Sequence, residues 1–311
     1  MTIRISVCLL LFTLLSSLQS SQSQIDSKIS LSKLRGEYFG QTKPELIPDI
    51  FMDKVISGKG HTHGSVTFTP NLDEVYWDER IDENSFHRIY YSKCVDNLWT
   101  APEIVEFIKN MDADSPVLSP DGNKLFFNSR WTKNDGPVSG KERIWFIERD
   151  KNGNWTSLNL VCDAINNEPL HWQVSVDSSG NLFFGSERKG SLGEDDIFCS
   201  LLVDDKYQTP INLGQAVNSS LHESTPCIAA DGSYLLFTRI VNKKDCFFIS
   251  VRNEDKTWQE PINITNLYPD IFGTCPKISP DNKYIFFNRY ENRTANVYWV
   301  SINILNEILR D

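Results

Sequence analysis

The sequence predicts an all-β fold, a five-bladed β-propeller of four-stranded antiparallel blades closed by an N-terminal strand. Three observations predict it. A strand–turn–strand unit recurs five times at near-constant spacing, two further short apolar runs follow it in the first four copies, and the last copy lacks the fourth run. Repeats of roughly 20 to 50 residues mark solenoids and propellers, and four short antiparallel strands per repeat mark a propeller blade.

The second strand of each unit ends at Trp77, Phe127, Phe184, Phe237 and Phe287, in "NLDEVYW", "DGNKLFF", "SGNLFF", "DGSYLLF" and "DNKYIFF". The first strand precedes a tight turn, as in "SVTFTP", "SPVLSP", "WQVSVDS", "TPCIAA" and "CPKISP". The third reads "RIYYS", "RIWFIE", "DIFCS", "CFFIS" and "VYWVS". A polar turn and an aromatic then lead to the fourth, with Trp99, Trp155, Tyr207 and Trp258 expected to pack between blades. These runs are rich in β-branched and aromatic residues and bounded by Gly, Pro, Asn and Asp, which is strand chemistry. No stretch after the leader sustains a helical period. The last copy ends without a fourth strand, while Pro48 to Val55 resembles one, so the N-terminus is expected to complete the last blade and remove an open edge.

Residues 1–23 read as an export signal: Arg4, an apolar run from Ile5 to Leu15, then small residues at Ser21 and Ser23. The run is shorter than the roughly 20 residues that span a bilayer. Residues 24–46 form an N-terminal extension. The propeller occupies 47–311, with repeats at about 60–109, 110–161, 162–213, 214–265 and 266–311, and residues 47–57 completing the last. A periplasmic or secreted monomer is expected. Without the leader the chain carries 30 basic against 41 acidic residues, a balance of −11. Nucleic acid is excluded on that balance, because binding it rests on neutralising phosphates, and an anionic membrane surface is disfavoured alike.

Six cysteines remain: Cys94, Cys162, Cys199, Cys227, Cys246 and Cys275. Six allow 15 pairings, and the simplest expectation is small buried strand residues. The sequons at Asn154, Asn218, Asn263 and Asn292 matter only in a eukaryotic secretory route.

The units "SPDGNKLFFNSR" and "SSGNLFFGSERKGSLGEDDIFCS" resemble the PD40 (WD40-like) propeller repeat of TolB-like proteins of bacterial envelopes, over about residues 60 to 302. The third copy loses the proline ("VDSSGN"), the fourth reads "AADG", and the fifth has Asn282 in place of Gly. The resemblance implies an exported propeller that binds or scaffolds, and it implies no reaction.

In a propeller, the innermost strands begin on one face, and the second-to-third-strand loops open on the same face. Windows aligned to residues 110–114, where innermost strands begin, hold His61, His63, His171 and His222 with Asp112, Asp114 and Glu223. His87 precedes a third strand and shares that face. His63, His171 and Glu223 occupy equivalent positions on three blades and are the expected ligands if a divalent metal binds, since imidazole and carboxylate suit Zn, Fe or Mn. No cofactor is otherwise required. A wet, polar channel lining is the plainer expectation. The five Arg residues after the second strands (Arg80, Arg130, Arg188, Arg239 and Arg289) are expected to maintain the repeat. The loops "WTKNDGPVSGKE" and "KGSLGEDD" could form a lip on the histidine face.

No GxSxG elbow, P-loop, HExxH or GxGxxG is present. The leading expectation is therefore a non-catalytic module for a protein, peptide or glycan partner. The alternative is a carbohydrate-active hydrolase or lyase at the channel mouth, with Asp114 and Glu223 as the nearest carboxylate pair.

Overall fold

In a computed structural model, residues 34–53, 55–57, 61–80, 85–131, 141–291 and 294–309 are described, with only the backbone of 171–172. The expected leader lies outside these residues. Five antiparallel sheets carry the five repeats. The first is built from Thr67–Phe68, Glu74–Glu79, Arg88–Val95 and Glu103–Ile104, with Leu98–Trp99 at its rim. The second runs Ala113–Leu118, Lys124–Ser129, Arg143–Arg149 and Trp155–Leu160, and the third His171–Val176, Leu182–Ser186, Asp196–Ser200 and Ile211–Asn212. The fourth uses Glu223–Ile228, Tyr234–Val241, Lys244–Val251 and Ile262–Asn263. The fifth takes Thr274–Ile278, Tyr284–Glu291 and Thr294–Ser301, and its outer strand is Asp49–Ile50, in register with Trp299 and Tyr298.

The innermost hairpins turn the same way in four blades. The hydroxyls of Thr69, Ser119 and Ser279 accept the backbone N–H that opens the second strand, and the carboxylate of Asp177 accepts that of Asn181 just before it, all at 2.9 Å. This is why the turn motif begins with Ser or its equivalent. The turn also needs a left-handed residue, which is Gly122, Gly180 and Gly232 in three blades and Asn282 in the fifth. Asn tolerates that region better than other non-glycine residues, so the fifth-copy departure is conservative in backbone terms.

The innermost strands of blades 2 to 5 are each interrupted by a bulge. Register shifts fall between Asp114 and Val117, His171 and Val174, Ser224 and Cys227, and Thr274 and Lys277. Ser115, Thr225 and Cys275 sit there at φ of 51°, 46° and 54°. A proline follows each of the three (Pro116, Pro226 and Pro276). Proline has no N–H, so the extra residue leaves no ladder donor unpaired. The bulges leave carbonyls around the channel, and two long side chains take up four of them. Lys277 Nζ donates to Ser65 O and Pro116 O, and Gln173 Nε2 donates to Pro226 O and Pro276 O.

The fourth strands are only two residues long in four blades, and in blades 2 to 5 a side chain extends the ladder of the third strand. Asn166, Asn218, Thr265 and Ser57 each accept from the N–H of a third-strand residue, namely Ile144, Ile197, Phe247 and Val297. Asn166 also donates to Val161 O and Ile144 O while fully buried. Its replacement by alanine leaves those groups unpaired, and a loss of about 1–3 kcal/mol is expected in chemical denaturation. The same burial explains why the sequon at Asn218 carries no free amide: its side chain bonds both Ile197 backbone groups.

Three of the repeated arginines act as expected. Arg188 donates to Ile165 O, Arg239 to Val217 O and Arg289 to Asp270 O, each reaching the connection that leads into its own blade. Arg130 is exposed. The expected aromatics lie at blade boundaries: Trp155 stands edge-on to Tyr76 at 6.1 Å, and Trp99 packs on Phe39 at 4.2 Å. All six cysteines are unpaired thiols. No described helix is long and apolar enough to cross a membrane.

Candidate metal centre

Blade 1 brings three imidazoles together at the start of its innermost strand. His61 continues the hairpin, exchanging backbone hydrogen bonds with Arg80 at 3.0 Å each way. His63 lies two residues on, and His87 stands just before the third strand. The potential ligand nitrogens of His61, His63 and His87 all lie within 4.8 Å of one another. The His63 and His87 rings stack at 4.1 Å, and His61 stands edge-on to both at 5.1 and 5.9 Å.

Asp78 organises the trio. It sits mid-strand in "VYWDER" with no exposed surface. Its carboxylate accepts from the backbone N–H of His63 and Gly64 at 2.9 Å, from Ser115 N at 3.2 Å, and meets His87 Nδ1 at 2.9 Å. Burial alone would raise its pKa. The His87 hydrogen bond and charge, the charge of His63 and the backbone donor outweigh that and hold the carboxyl at about 2. In a neutral His87, a proton on the Nδ1 that faces Asp78 leaves Nε2 free to offer its lone pair. That Nε2 is buried and has no hydrogen-bond partner, and His61 Nδ1 is likewise buried and unpartnered. His63 Nδ1 lies 3.4 Å from Asp114 Oδ2. Burial opposes its protonation, but the hydrogen bond and charge of Asp114, with Asp78 and Glu142, raise it to about 9. His61 is pushed down to about 4 by burial and by the neighbouring cations.

A carboxylate behind each of two imidazoles is how metal-binding histidines are held in one tautomer and orientation. Zinc binds histidine nitrogen at about 2.0–2.1 Å. A tetrahedral ion then needs nitrogens about 3.4 Å apart, so the rings would close inward by up to roughly 1.5 Å on loading.

One more carboxyl belongs to this end of the channel. Glu142 Oε1 accepts from Asn128 Nδ2 at 2.7 Å. Burial, then the negative charge of Asp114, raises Glu142 to about 7, against the opposing effects of Asn128, Arg130 and His63.

The other expected site residues lie elsewhere. Glu223 does not join His63: it is fully buried and held by Arg239 Nε at 2.6 Å and by the Ser219 hydroxyl and N–H. His222 Nδ1 lies 3.0 Å from Asp195 Oδ2. His171 opens the third blade's innermost strand. Asp112 accepts from the His87 N–H at 2.8 Å and so fixes the backbone of a trio member rather than presenting a ligand. Among the described side chains the structure gathers His61, His63 and His87, and Glu223 is not with them. Sequence reading placed His87 on the right face and passed over Asp78, whose signal was a charged residue inside an apolar strand. The loop at 132–140 lies outside the described residues, and "KGSLGEDD" is tied down by Asp196, which accepts from Leu192 N and Gly193 N.

No family model matches the chain, and no curated protein sequence matches it. Solved structures do. An Agrobacterium tumefaciens protein provisionally designated TolB matches at 15% identity over 77% of each chain, with a TM-score of 0.52. A leech intramolecular trans-sialidase matches at 15% identity over 74% of this chain and 39% of its own, with a TM-score of 0.42. A chain of a nidogen/laminin complex matches at 8% identity over 72% and 73%, with a TM-score of 0.45. At these identities the likeness is one of fold alone, a β-propeller.

Proposed function

We propose that this chain is an exported binding propeller that holds a divalent transition metal at one end of its channel. His61, His63 and His87 are the ligands. A fourth coordination position faces the channel mouth and takes an oxygen or nitrogen donor from a protein, peptide or glycan partner. The observation that carries this reading is the buried, unpartnered Nε2 of His87, fixed in tautomer by a fully buried Asp78 and gathered with two further imidazoles. A buried lone pair with no donor is costly, and a metal ion satisfies it. Three protein ligands leave the ion open to an external donor, as closed four-ligand sites do not.

The test is titration of chelator-stripped protein with Zn²⁺, Mn²⁺ and Ni²⁺ by calorimetry. One equivalent is expected to bind, with at least a hundredfold loss in His87→Ala or His63→Ala and none in His222→Ala. Absence of stoichiometric binding, or binding indifferent to His87, refutes the site.

A second reading, metal-assisted hydrolysis or elimination on a glycan, draws on Glu142, a carboxyl poised to exchange a proton near neutral pH. Turnover of oligosaccharides that is lost in Glu142→Gln, with metal binding retained, would favour it over a pure binding role.

A further inference from the structure

The opposite end of the channel holds a second feature. A cavity of about 150 Å³ is bounded by the turns at Pro70, Pro120 and Pro280 and by innermost-strand residues of all five blades. Its walls are largely apolar, with Phe68, Leu118, Val176 and Ile228 among them. Lys277 is its only charged lining residue. The Lys277 side chain is buried, and its ammonium group donates to Ser65 O and Pro116 O. Those two bonds leave its third N–H without an acceptor among the described residues. No carboxylate among them forms an ion pair with it. Close by, Gln173 spends its amide N–H groups on Pro226 O and Pro276 O, and its Oε1 is buried without a partner.

A buried ammonium is costly unless paired. Two backbone carbonyls solvate this one but do not neutralise it. Burial accordingly pulls its pKa down to about 8, with more distant groups opposing. At neutral pH the cavity still carries a positive charge set in an apolar wall. Beside the charge stands an acceptor suited to a hydroxyl or a protonated donor.

We propose that this cavity binds a small monocarboxylate, with its carboxylate on Lys277 and its short hydrocarbon body against Phe68, Leu118, Val176 and Ile228. A cavity near 150 Å³ accommodates a benzene-sized body, which sets the chain length at about four to six carbons. A hydroxyl on the acid would meet Gln173 Oε1. The site is independent of the histidine trio.

The experiment titrates the full chain with butanoate, hexanoate, dodecanoate and the neutral butanamide by calorimetry, with chelator present so that no metal contributes. Butanoate and hexanoate are expected to bind saturably at one equivalent. Butanamide and dodecanoate are expected to bind at least tenfold more weakly, the first for want of charge and the second for want of room. Lys277→Met is expected to lose at least tenfold for butanoate, and His87→Ala to lose nothing. If no short acid binds, or if butanamide matches butanoate in the wild-type protein, the proposal is overturned, whether or not Lys277→Met folds. A loss in His87→Ala would overturn the independence of the two ends.

Discussion

Replacing Asp78 with alanine is expected to cost about 3–5 kcal/mol, the range for removing one partner from a buried charged network. The variant leaves the N–H groups of His63, Gly64 and Ser115 and the Nδ1 of His87 without their acceptor. None can turn to solvent, because the carboxylate that they surround has no exposed surface. For a domain of this size, 1 kcal/mol moves the thermal midpoint by about 2–4 °C, so a drop on the order of 10 °C should appear by calorimetry. Asp78→Asn keeps the shape and removes the charge. Metal affinity is expected to fall about 10–100-fold there, as it does when outer-shell partners of ligating histidines are changed.

The pH dependence has a definite sign. The folded pKa of Asp78 is held at about 2, below the ordinary 3.8. Its contribution is therefore present above pH 3.8 and is lost as pH falls through 2, at roughly 2 kcal/mol for a shift of this order. The gap in stability between wild type and Asp78→Asn should narrow between pH 4 and pH 2. A gap that stays constant over that interval would show that the charge of Asp78 contributes nothing.

Cutting away residues 1–57 is expected to abolish cooperative unfolding altogether. The segment supplies the outer strand of blade 5 and, with it, Tyr38, Phe39, Phe51 and Ile56 to the core between the first and last blades. Phe51 is fully buried, with Trp299 at 5.2 Å and Phe286 at 5.0 Å, and its N–H bonds Val297 O at 2.8 Å. Tyr38 is fully buried too, and its hydroxyl donates to Asp281 at 2.7 Å. Phe51→Ala alone should cost about 3–5 kcal/mol. A truncated chain that melts in one sharp transition would mean that the seam is dispensable.

Architecture was legible because it is written five times. Turn, strand and aromatic recur in order, so an error at one copy is corrected by the other four. The closing strand was legible by subtraction, as a fourth strand missing at one end and spare at the other. Tyr38 and Phe39 were not, since residues before 47 show no repeat pattern to announce their packing. The site was legible only in part, because its chemistry occurs once. Equivalence on the repeat grouped His63 with Glu223, but related positions on a ring look across a channel, whereas a metal needs ligands within a few ångströms. Those come from one blade: two histidines of the segment leading into its innermost strand and a third just before its third strand. Glu223 is instead paired with Arg239, a repeat residue of its own blade.

The pairing of Asp49 with Trp299 also orders events in time. The strand that closes the ring is among the first parts of the propeller to be made, and its partner is among the last. Four blades can assemble from local hairpins as they appear, but the fifth must wait for both ends of the chain. Contacts of such long sequence separation slow folding and prolong exposure of unpaired edges. The ring cannot shut until its last blade has been made, so the closing edge stays unpaired through almost the whole of synthesis.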